Sequence, residues 1–225
     1  SEIELFFVTK KGIVKKTSAI EFERINRSGK RAITLKEEDQ LLLVSPIPKN
    51  QETNILIGNS NGKAIKFFDS DVRSMGRTAS GVKGISVAEN EEVVDLASSA
   101  RGHLILSLSE KGFGKLTDIN SYRTTKRGGK GVISINTAKA GKLIALSAVK
   151  GNEDLMIITD KGTVIRTGIS QISQFSRNSK GVTVVKLRDN EKIASATIVR
   201  SFEEIEEEIM EKTKEVVLNI SNTEE

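Results

Sequence analysis

Apolar and polar positions alternate along the chain in a pattern that returns every 50 residues. Four apolar runs are each followed by a short polar turn that ends in glycine, and they occupy residues 5–8, 55–57, 104–108 and 155–158. The turn glycines are Gly12, Gly62, Gly112 and Gly162, and a second run carrying Lys or Arg follows each of them. Two β-prone runs joined in this way predict a β-hairpin, because glycine reaches the positive φ of the turn without strain. The sequence therefore predicts four equivalent hairpins.

Two further runs follow each hairpin, after a polar loop of about fifteen residues. The third runs are residues 32–35, 84–87, 131–135 and 181–185, and the fourth runs are residues 40–44, 93–97, 143–148 and 193–198. Four antiparallel strands repeated at this period are typical of propeller blades. We expect an all-β, propeller-like domain over residues 1–200, with repeats of about 1–50, 51–100, 101–150 and 151–200. An all-β sandwich is the alternative, and whether four blades close a ring stays open.

Charge is distributed unevenly along the chain, although its formal net value is only +5. Residues 201–225 hold nine acidic residues against Lys212 and Lys214, which leaves about +12 on residues 1–200. A basic body points to a polyanionic partner, most simply nucleic acid, although a merely solubilising surface charge would give the same composition. The chain contains no cysteine. We therefore expect a reducing, cytoplasmic setting, and no membrane association, because the apolar runs are too short to span a bilayer.

The acidic segment has its own pattern. Phe202, Ile205 and Ile209 recur at helical spacing among glutamates, which predicts a helix over residues 201–215. Such a helix could simply cap the last blade. The alternative hypothesis is that residues 201–225 lie on the basic surface and compete with DNA, so that their deletion would raise DNA affinity at low salt.

Cations recur in the long loop and in the returning hairpin strand of every repeat. Because equivalent loops of a repeated scaffold emerge on the same rim, these cations are expected to form a curved stripe that contacts phosphates without reading sequence. The predicted stripe comprises Lys15, Lys16, Arg24, Arg27, Lys30 and Arg31 in the first repeat, Lys66, Arg73, Arg77 and Lys83 in the second, Lys115, Arg123, Lys126, Arg127 and Lys130 in the third, and Arg166, Arg177, Lys180 and Lys186 in the fourth.

The segment Thr125-Lys126-Arg127-Gly128-Gly129-Lys130-Gly131 is the densest part of this stripe. Its glycines would let backbone N–H groups approach phosphate oxygens closely. The segment resembles the gyrase box, glutamine-basic-arginine-Gly-Gly-basic-Gly, with Thr125 in place of the glutamine. Residues 72–85 resemble a middle blade, and residues 154–167 with 177–182 the last blade, of the C-terminal domains of type IIA topoisomerases. Within this family, the DNA gyrase A domain is favoured over that of topoisomerase IV.

The resemblance covers about residues 5–200 and implies a β-pinwheel, a disc in which neighbouring blades exchange a strand. It implies wrapping of duplex DNA around the rim in support of negative supercoiling, with the rest of DNA gyrase A and with gyrase B as partners in a bacterial, nucleoid-associated enzyme. The family's box lies in the first of about six blades, whereas the match here lies in the third repeat. A propeller scaffold that binds an acidic protein or RNA is the rival hypothesis, and the scarcity of aromatic residues argues against single-strand stacking.

Nothing in the sequence indicates catalysis, a metal site or a cofactor. His103 is the single histidine and is expected on an apolar strand, so His-based metal clusters and catalytic triads are poorly supported. Tyr122 is the single tyrosine, and although the family uses a tyrosine nucleophile in a separate domain, packing is the expected role here. Asp69, Asp71 and Asp118 lie near turns, where aspartate ordinarily bonds to its own backbone.

Overall fold

The computed structural model describes residues 2–25 and 27–201, together with Ile205 and Met210. The regular secondary structure of the described residues is almost entirely β, as the sequence predicts. Its strands are β1 (Ile3–Thr9), β2 (Ile13–Ser18), β3 (Leu41–Pro48), β4 (Asn54–Asn59), β5 (Lys63–Phe68), β6 (Val82–Lys83), β7 (Val93–Ser98), β8 (Leu104–Ser109), β9 (Phe113–Asp118), β10 (Val132–Ile133), β11 (Leu143–Val149), β12 (Asp154–Thr159), β13 (Val164–Gly168), β14 (Val182–Thr183) and β15 (Ile193–Val199).

The four predicted hairpins are confirmed as β1–β2, β4–β5, β8–β9 and β12–β13. Each turn closes with a bond from the glycine N–H to the carbonyl three residues earlier, as in Gly12 to Thr9 at 3.0 Å. All four turn glycines have a positive φ, between 75° and 84°. A Cβ on Gly12 would lie 2.5 Å from the backbone oxygen of Ile85, so the turn also needs glycine for the close approach of another repeat.

In the second, third and fourth repeats, the short third strand pairs with the hairpin of the preceding repeat. The sheets have the orders β3-β1-β2-β6, β10-β5-β4-β7, β11-β8-β9-β14 and β13-β12-β15. Val82 pairs with Val14, Val132 with Ala64, and Val182 with Gly114, always 68 residues apart. This is the strand exchange that the resemblance implies. Within the described residues, the fourth sheet has three strands.

The prediction for the third runs was therefore partly wrong. In the last three repeats only two residues of each segment pair as a strand. β10 and β14 lie near the start of the predicted runs, and β6 lies just before its run. Residues 32–35 form no strand, because the described residues contain no earlier hairpin with which they could pair. They lie instead against the second repeat, where the N–H of Thr34 donates to the carbonyl of Ala79 at 3.4 Å. The predicted fourth runs are confirmed by β3, β7, β11 and β15.

The blades share their hydrophobic cores. One buried cluster joins the first two repeats and includes Phe6, Ile57, Phe67 and Ile85, with the rings of Phe6 and Phe67 6.4 Å apart. A second cluster joins the last two repeats, and a third lies between the second and third repeats. The fourth strands pack side by side around a central cavity, which residues of all four repeats line. Exchange and shared cores therefore hold the basic loops in fixed positions on the outside.

Helical structure is sparse in the part of the chain that the structure describes. A short helix, α1 (Thr137–Ala140), precedes β11, and 3₁₀ turns follow β2, β5, β9 and β13. No helix among the described residues is long and apolar enough to cross a bilayer. Apart from Ser201, Ile205 and Met210, the predicted acidic helix and the hypothesis of its competition with DNA lie outside the described residues.

Candidate nucleic-acid interface

The lysines on the returning hairpin strands are not part of the surface stripe. Lys15 and Lys115 are completely buried, and Lys16 and Lys66 retain 7% and 6% of their exposure. The prediction that these four cations face a ligand was wrong. Lys15 and Lys115 end at backbone carbonyls in the turn of the following repeat. Lys16 and Lys66 end at Asp69 and at the carbonyl of Ile119, which also belong to the following repeat.

Lys16 belongs to a buried ion network between the first two repeats. Its Nζ lies 2.9 Å from Oδ2 of Asp69 and 3.1 Å from Oε2 of Glu4. Oδ1 of Asp69 accepts the N–H of Thr53 at 2.9 Å. The sequence predicts instead that this carboxylate bonds to its own turn, and that prediction was wrong. Asp118 does so, accepting the N–H of Asn120 at 2.7 Å. The charge of Lys16 is thus used to join two blades.

Lys15 and Lys115 are bound by carbonyls. Lys15 Nζ donates to the carbonyls of Ala32 and Arg77, both at 2.5 Å, and lies 5.1 Å from the ring centroid of Phe7. Lys115 Nζ donates to the carbonyls of Ser176 and Arg177 at 2.5 and 2.6 Å. Burial, together with a nearby arginine, lowers the pKa of each lysine to about 8. Each ammonium therefore fixes the backbone of a loop that carries a predicted DNA contact.

An arginine recurs at 50-residue steps in equivalent turns, as Arg77, Arg127 and Arg177. All three side chains are half-buried, and each guanidinium reaches back to the preceding repeat. Arg77 donates to the carbonyl of Arg31 at 3.1 Å, Arg127 to that of Lys83 at 2.9 Å, and Arg177 to that of Ile133. Arg127 also donates through Nε to the carbonyl of Asp71 at 3.0 Å. These arginines join the exchanged segments to the loops, and a guanidinium has five N–H donors, more than these bonds use.

The segment of residues 125–131 lies over the contact between the second and third repeats. Its Lys126 side chain is 89% exposed, with Nζ 2.7 Å from Oδ1 of Asp71. Lys130 and Gly129 are exposed, and Gly128 and Gly131 have positive φ values of 89° and 74°. A small cavity of about 260 Å³ opens here between Arg123, Lys126 and Lys130. Three cations therefore surround a concave, glycine-lined part of the rim.

The remaining predicted residues lie on the surface around these turns. Lys180 Nζ lies 4.4 Å from the ring centroid of Phe113, and Lys30 is half-buried and donates to the carbonyl of Glu21 at 3.2 Å. Outside residues 125–131, the exposed members of the predicted stripe are Arg24, Arg27, Arg31, Arg73, Lys83, Arg123, Arg166, Lys180 and Lys186. The turns bring Arg31 together with Arg77 and Lys83 together with Arg127. Predicted residues from neighbouring repeats thus meet at two of the contacts between blades.

Tyr122 and His103, the residues considered for catalysis, lack the surroundings that a nucleophile or a metal ligand needs. Tyr122 is fully buried, and its hydroxyl lies 2.7 Å from Oγ of Ser134. Burial raises the pKa of Tyr122, so its hydroxyl stays protonated and inaccessible. His103 lies just before β8 and is exposed, not placed on the strand as predicted. Among the described residues, no cluster of His, Cys, Asp or Glu could hold a metal ion.

Sequence reasoning missed the roles of Lys15 and Lys115, although one signal was available. The positions equivalent to them in the second and fourth repeats are Ile65 and Ile165. An isoleucine at the same place in the repeat indicates an inward-facing position. The sequence could thus have predicted their burial, but not the carbonyls that they bind.

Comparison with known proteins gives consistent matches. Residues 4–48, 53–100, 103–150 and 153–200 each match the family described as DNA gyrase C-terminal domain, beta-propeller. The DNA gyrase A protein of Ureaplasma parvum is 50% identical over 126 residues, which cover 56% of this chain and 15% of that protein. The Staphylococcus epidermidis protein of the same name is 46% identical over 128 residues, 56% of this chain and 14% of that protein. The chain thus spans about one seventh of the length of these curated relatives.

Two solved structures share the fold. A DNA gyrase A C-terminal domain superposes with a TM-score of 0.76 and 24% identity, over 88% of this chain and 66% of that one. The C-terminal domain of a DNA topoisomerase IV superposes with a TM-score of 0.81 and 23% identity, over 89% of this chain and 62% of that one. At such identities the superpositions show the fold alone.

Proposed function

Because the chain belongs to the family of DNA gyrase C-terminal domains, we propose that it binds duplex DNA through its phosphates and bends it around the basic rim. The observation that carries the proposal is the recurrence of Arg77, Arg127 and Arg177 in equivalent turns. A 50-residue repeat places cations at regular intervals along the outside of a disc, and phosphates recur regularly along a duplex.

The exposed cations around each turn supply the attraction. Lys126 and Lys130 flank the small cavity of residues 125–131, with Arg73 and Lys83 at the preceding turn and Lys180 at the following one. Binding by such cations releases counterions from DNA, which offsets a bending cost of a few kcal/mol. Because these contacts reach phosphates and no base edges, the proposed binding does not depend on sequence.

The domain itself carries out no chemistry in this proposal. It acts within a bacterial, ATP-dependent type IIA topoisomerase, with the remainder of gyrase A and with gyrase B, in the cytoplasm at the nucleoid. There it presents a wrapped segment of the same DNA molecule, which biases strand passage towards negative supercoils. These properties belong to a protein of which the chain corresponds to a small part.

A topoisomerase IV-type domain is the second candidate, because a topoisomerase IV C-terminal domain shares this fold with a gyrase A C-terminal domain. The two candidates differ in outcome on relaxed plasmid DNA. The intact enzyme that contains this chain introduces negative supercoils if the gyrase assignment is right. If it only relaxes or unlinks DNA, the topoisomerase IV-type assignment replaces it.

Duplex binding is tested by competition. A labelled duplex bound to the chain is challenged with unlabelled duplex, single-stranded DNA and RNA, and the variant Lys126→Gln/Lys130→Gln is compared with Lys111→Gln/Lys161→Gln. We expect duplex to compete best and only the first variant to weaken binding several-fold. Stronger competition by RNA, or no duplex binding at low salt, would favour the RNA or acidic-protein alternative.

A further inference from the structure

Residues 176–179 form a tight turn where the third and fourth repeats meet. The N–H of Ser179 donates to the carbonyl of Ser176 at 3.2 Å, which places Arg177 and Asn178 at the two central positions. The turn is attached to the third repeat by the bond from the N–H of Phe175 to the carbonyl of Leu116 at 2.9 Å. Ser176 and Asn178 are exposed, so one side of this turn faces solvent.

Lys115 fixes the orientation of this turn from beneath. Its Nζ donates to the carbonyls of Ser176 and Arg177, and both carbonyls therefore point into the protein. In a trans peptide the N–H points away from the C=O of the same unit. The N–H groups of Arg177 and Asn178 therefore point outwards, and neither has an acceptor among the described residues.

Two successive outward N–H groups form a concave site for an anionic oxygen. Two cationic side chains flank the site. Arg177 is half-buried, and Lys180, three residues later, is exposed. We propose that the backbone N–H groups of Arg177 and Asn178 bind one backbone phosphate of duplex DNA, and that Lys115 is the positioning residue for this site. The proposal deepens the proposed DNA binding and rests on it.

The contact between the first and second repeats contains a partial second example. The N–H of Ala79 donates to the carbonyl of Gly76 at 3.1 Å, and Lys15 binds the carbonyl of Arg77 within that turn at 2.5 Å. The N–H of Thr78 faces outwards for the same reason. Ile65 occupies the equivalent place in the second repeat, which shows that this fold accommodates an apolar side chain there.

The site can be observed directly by NMR spectroscopy of the ¹⁵N-labelled chain. On titration with a short duplex, we expect the backbone amide resonances of Arg177 and Asn178 to shift. The same titration of Lys115→Ile should leave these two amides nearly unmoved. Its duplex affinity should fall by about tenfold or more, the value of one lost hydrogen bond to a charged group. The slope of log affinity against log salt should not change, because a backbone N–H releases no counterion.

The control variant Lys111→Gln removes the same charge from the exposed hairpin turn before β9 and should bind like the wild type. If the wild-type duplex complex shifts resonances around Lys126 and Lys130 but not the amides of Arg177 and Asn178, the phosphate site is refuted while DNA binding stands. An unchanged affinity for Lys115→Ile would refute the positioning role. If no resonance shifts with duplex, the proposed function itself fails, and the wild-type titration shows this even if the variant does not fold.

Discussion

Replacement of Gly131 by alanine tests why the glycines of the basic segment are needed. Gly131 has a φ of 74°, and a Cβ there would lie 2.5 Å from the backbone oxygen and 2.6 Å from the carbonyl carbon of Ala64. The positive φ costs an alanine about 1–2 kcal/mol. The clash is with backbone, so β10 must also move away from β5, which breaks the pairing of Val132 with Ala64. We expect a total destabilisation of about 3 kcal/mol, of the size seen for backbone strain at over-determined positions.

Gly129 provides the matched control two residues earlier. A Cβ there would meet only Cδ1 of Ile65, at the ordinary contact distance of 3.5 Å, and its φ is not positive. Gly129→Ala should therefore leave the stability unchanged or raise it slightly, by restricting the unfolded chain.

The assay for both variants is thermal unfolding followed by circular dichroism. For a chain of this size, 3 kcal/mol corresponds to a Tm lowered by about 6–12 °C. If Gly131→Ala unfolded within about 2 °C of the wild type, the strand exchange would not depend on this close approach, and the reasoning would be refuted.

The remaining predictions concern the buried and exposed cations. Lys16→Ala leaves Glu4 and Asp69 buried without a counter-charge, so we expect a loss of about 3–5 kcal/mol in urea unfolding, and a loss under about 1 kcal/mol would contradict this. The pKa of Lys15 and Lys115 is about 8 in the folded chain against 10.5 when unfolded. The unfolded state therefore binds more protons between these values, and stability should rise as the pH increases from about 8 to 10.5. The double variant Lys15→Ile/Lys115→Ile, followed over the same pH range, should lack this rise; an identical pH profile would disprove the assignment. Lys130→Gln should reduce the slope of log DNA affinity against log salt by about 0.9, and an unchanged slope would show that Lys130 contacts no phosphate.

The hairpins could be predicted from the sequence because their information is local. A glycine between two apolar runs recurs at Gly12, Gly62, Gly112 and Gly162, and the positive φ and closing hydrogen bond of each turn involve only residues of that turn. The partners of β6, β10 and β14 could not be predicted from the residues alone. Val82 and Val14 lie 68 residues apart, and neither the composition nor the 50-residue period indicates that they pair. The family resemblance implied that an exchange exists, but not which strand takes part.

For the candidate interface, the positions of the loop cations could be predicted from the sequence, whereas the burial of the strand lysines could not be predicted from charge alone. Arg77, Arg127 and Arg177 lie in equivalent turns because the repeat places them there. Lys15 and Lys115 look like surface cations when only charge is considered. Their burial depends on the next repeat covering them, which is a tertiary contact. The DNA contacts assigned to Lys126, Arg127 and the other rim residues stay predictions.

The bending of duplex DNA around the rim is the central claim, and end-to-end energy transfer tests it most directly. Dyes are placed at both ends of a duplex long enough to follow the rim, and transfer is recorded against protein concentration at several salt concentrations. The account predicts that transfer rises on binding and that affinity falls steeply with salt, because phosphate contacts bend the duplex. Binding without any approach of the two ends would contradict it.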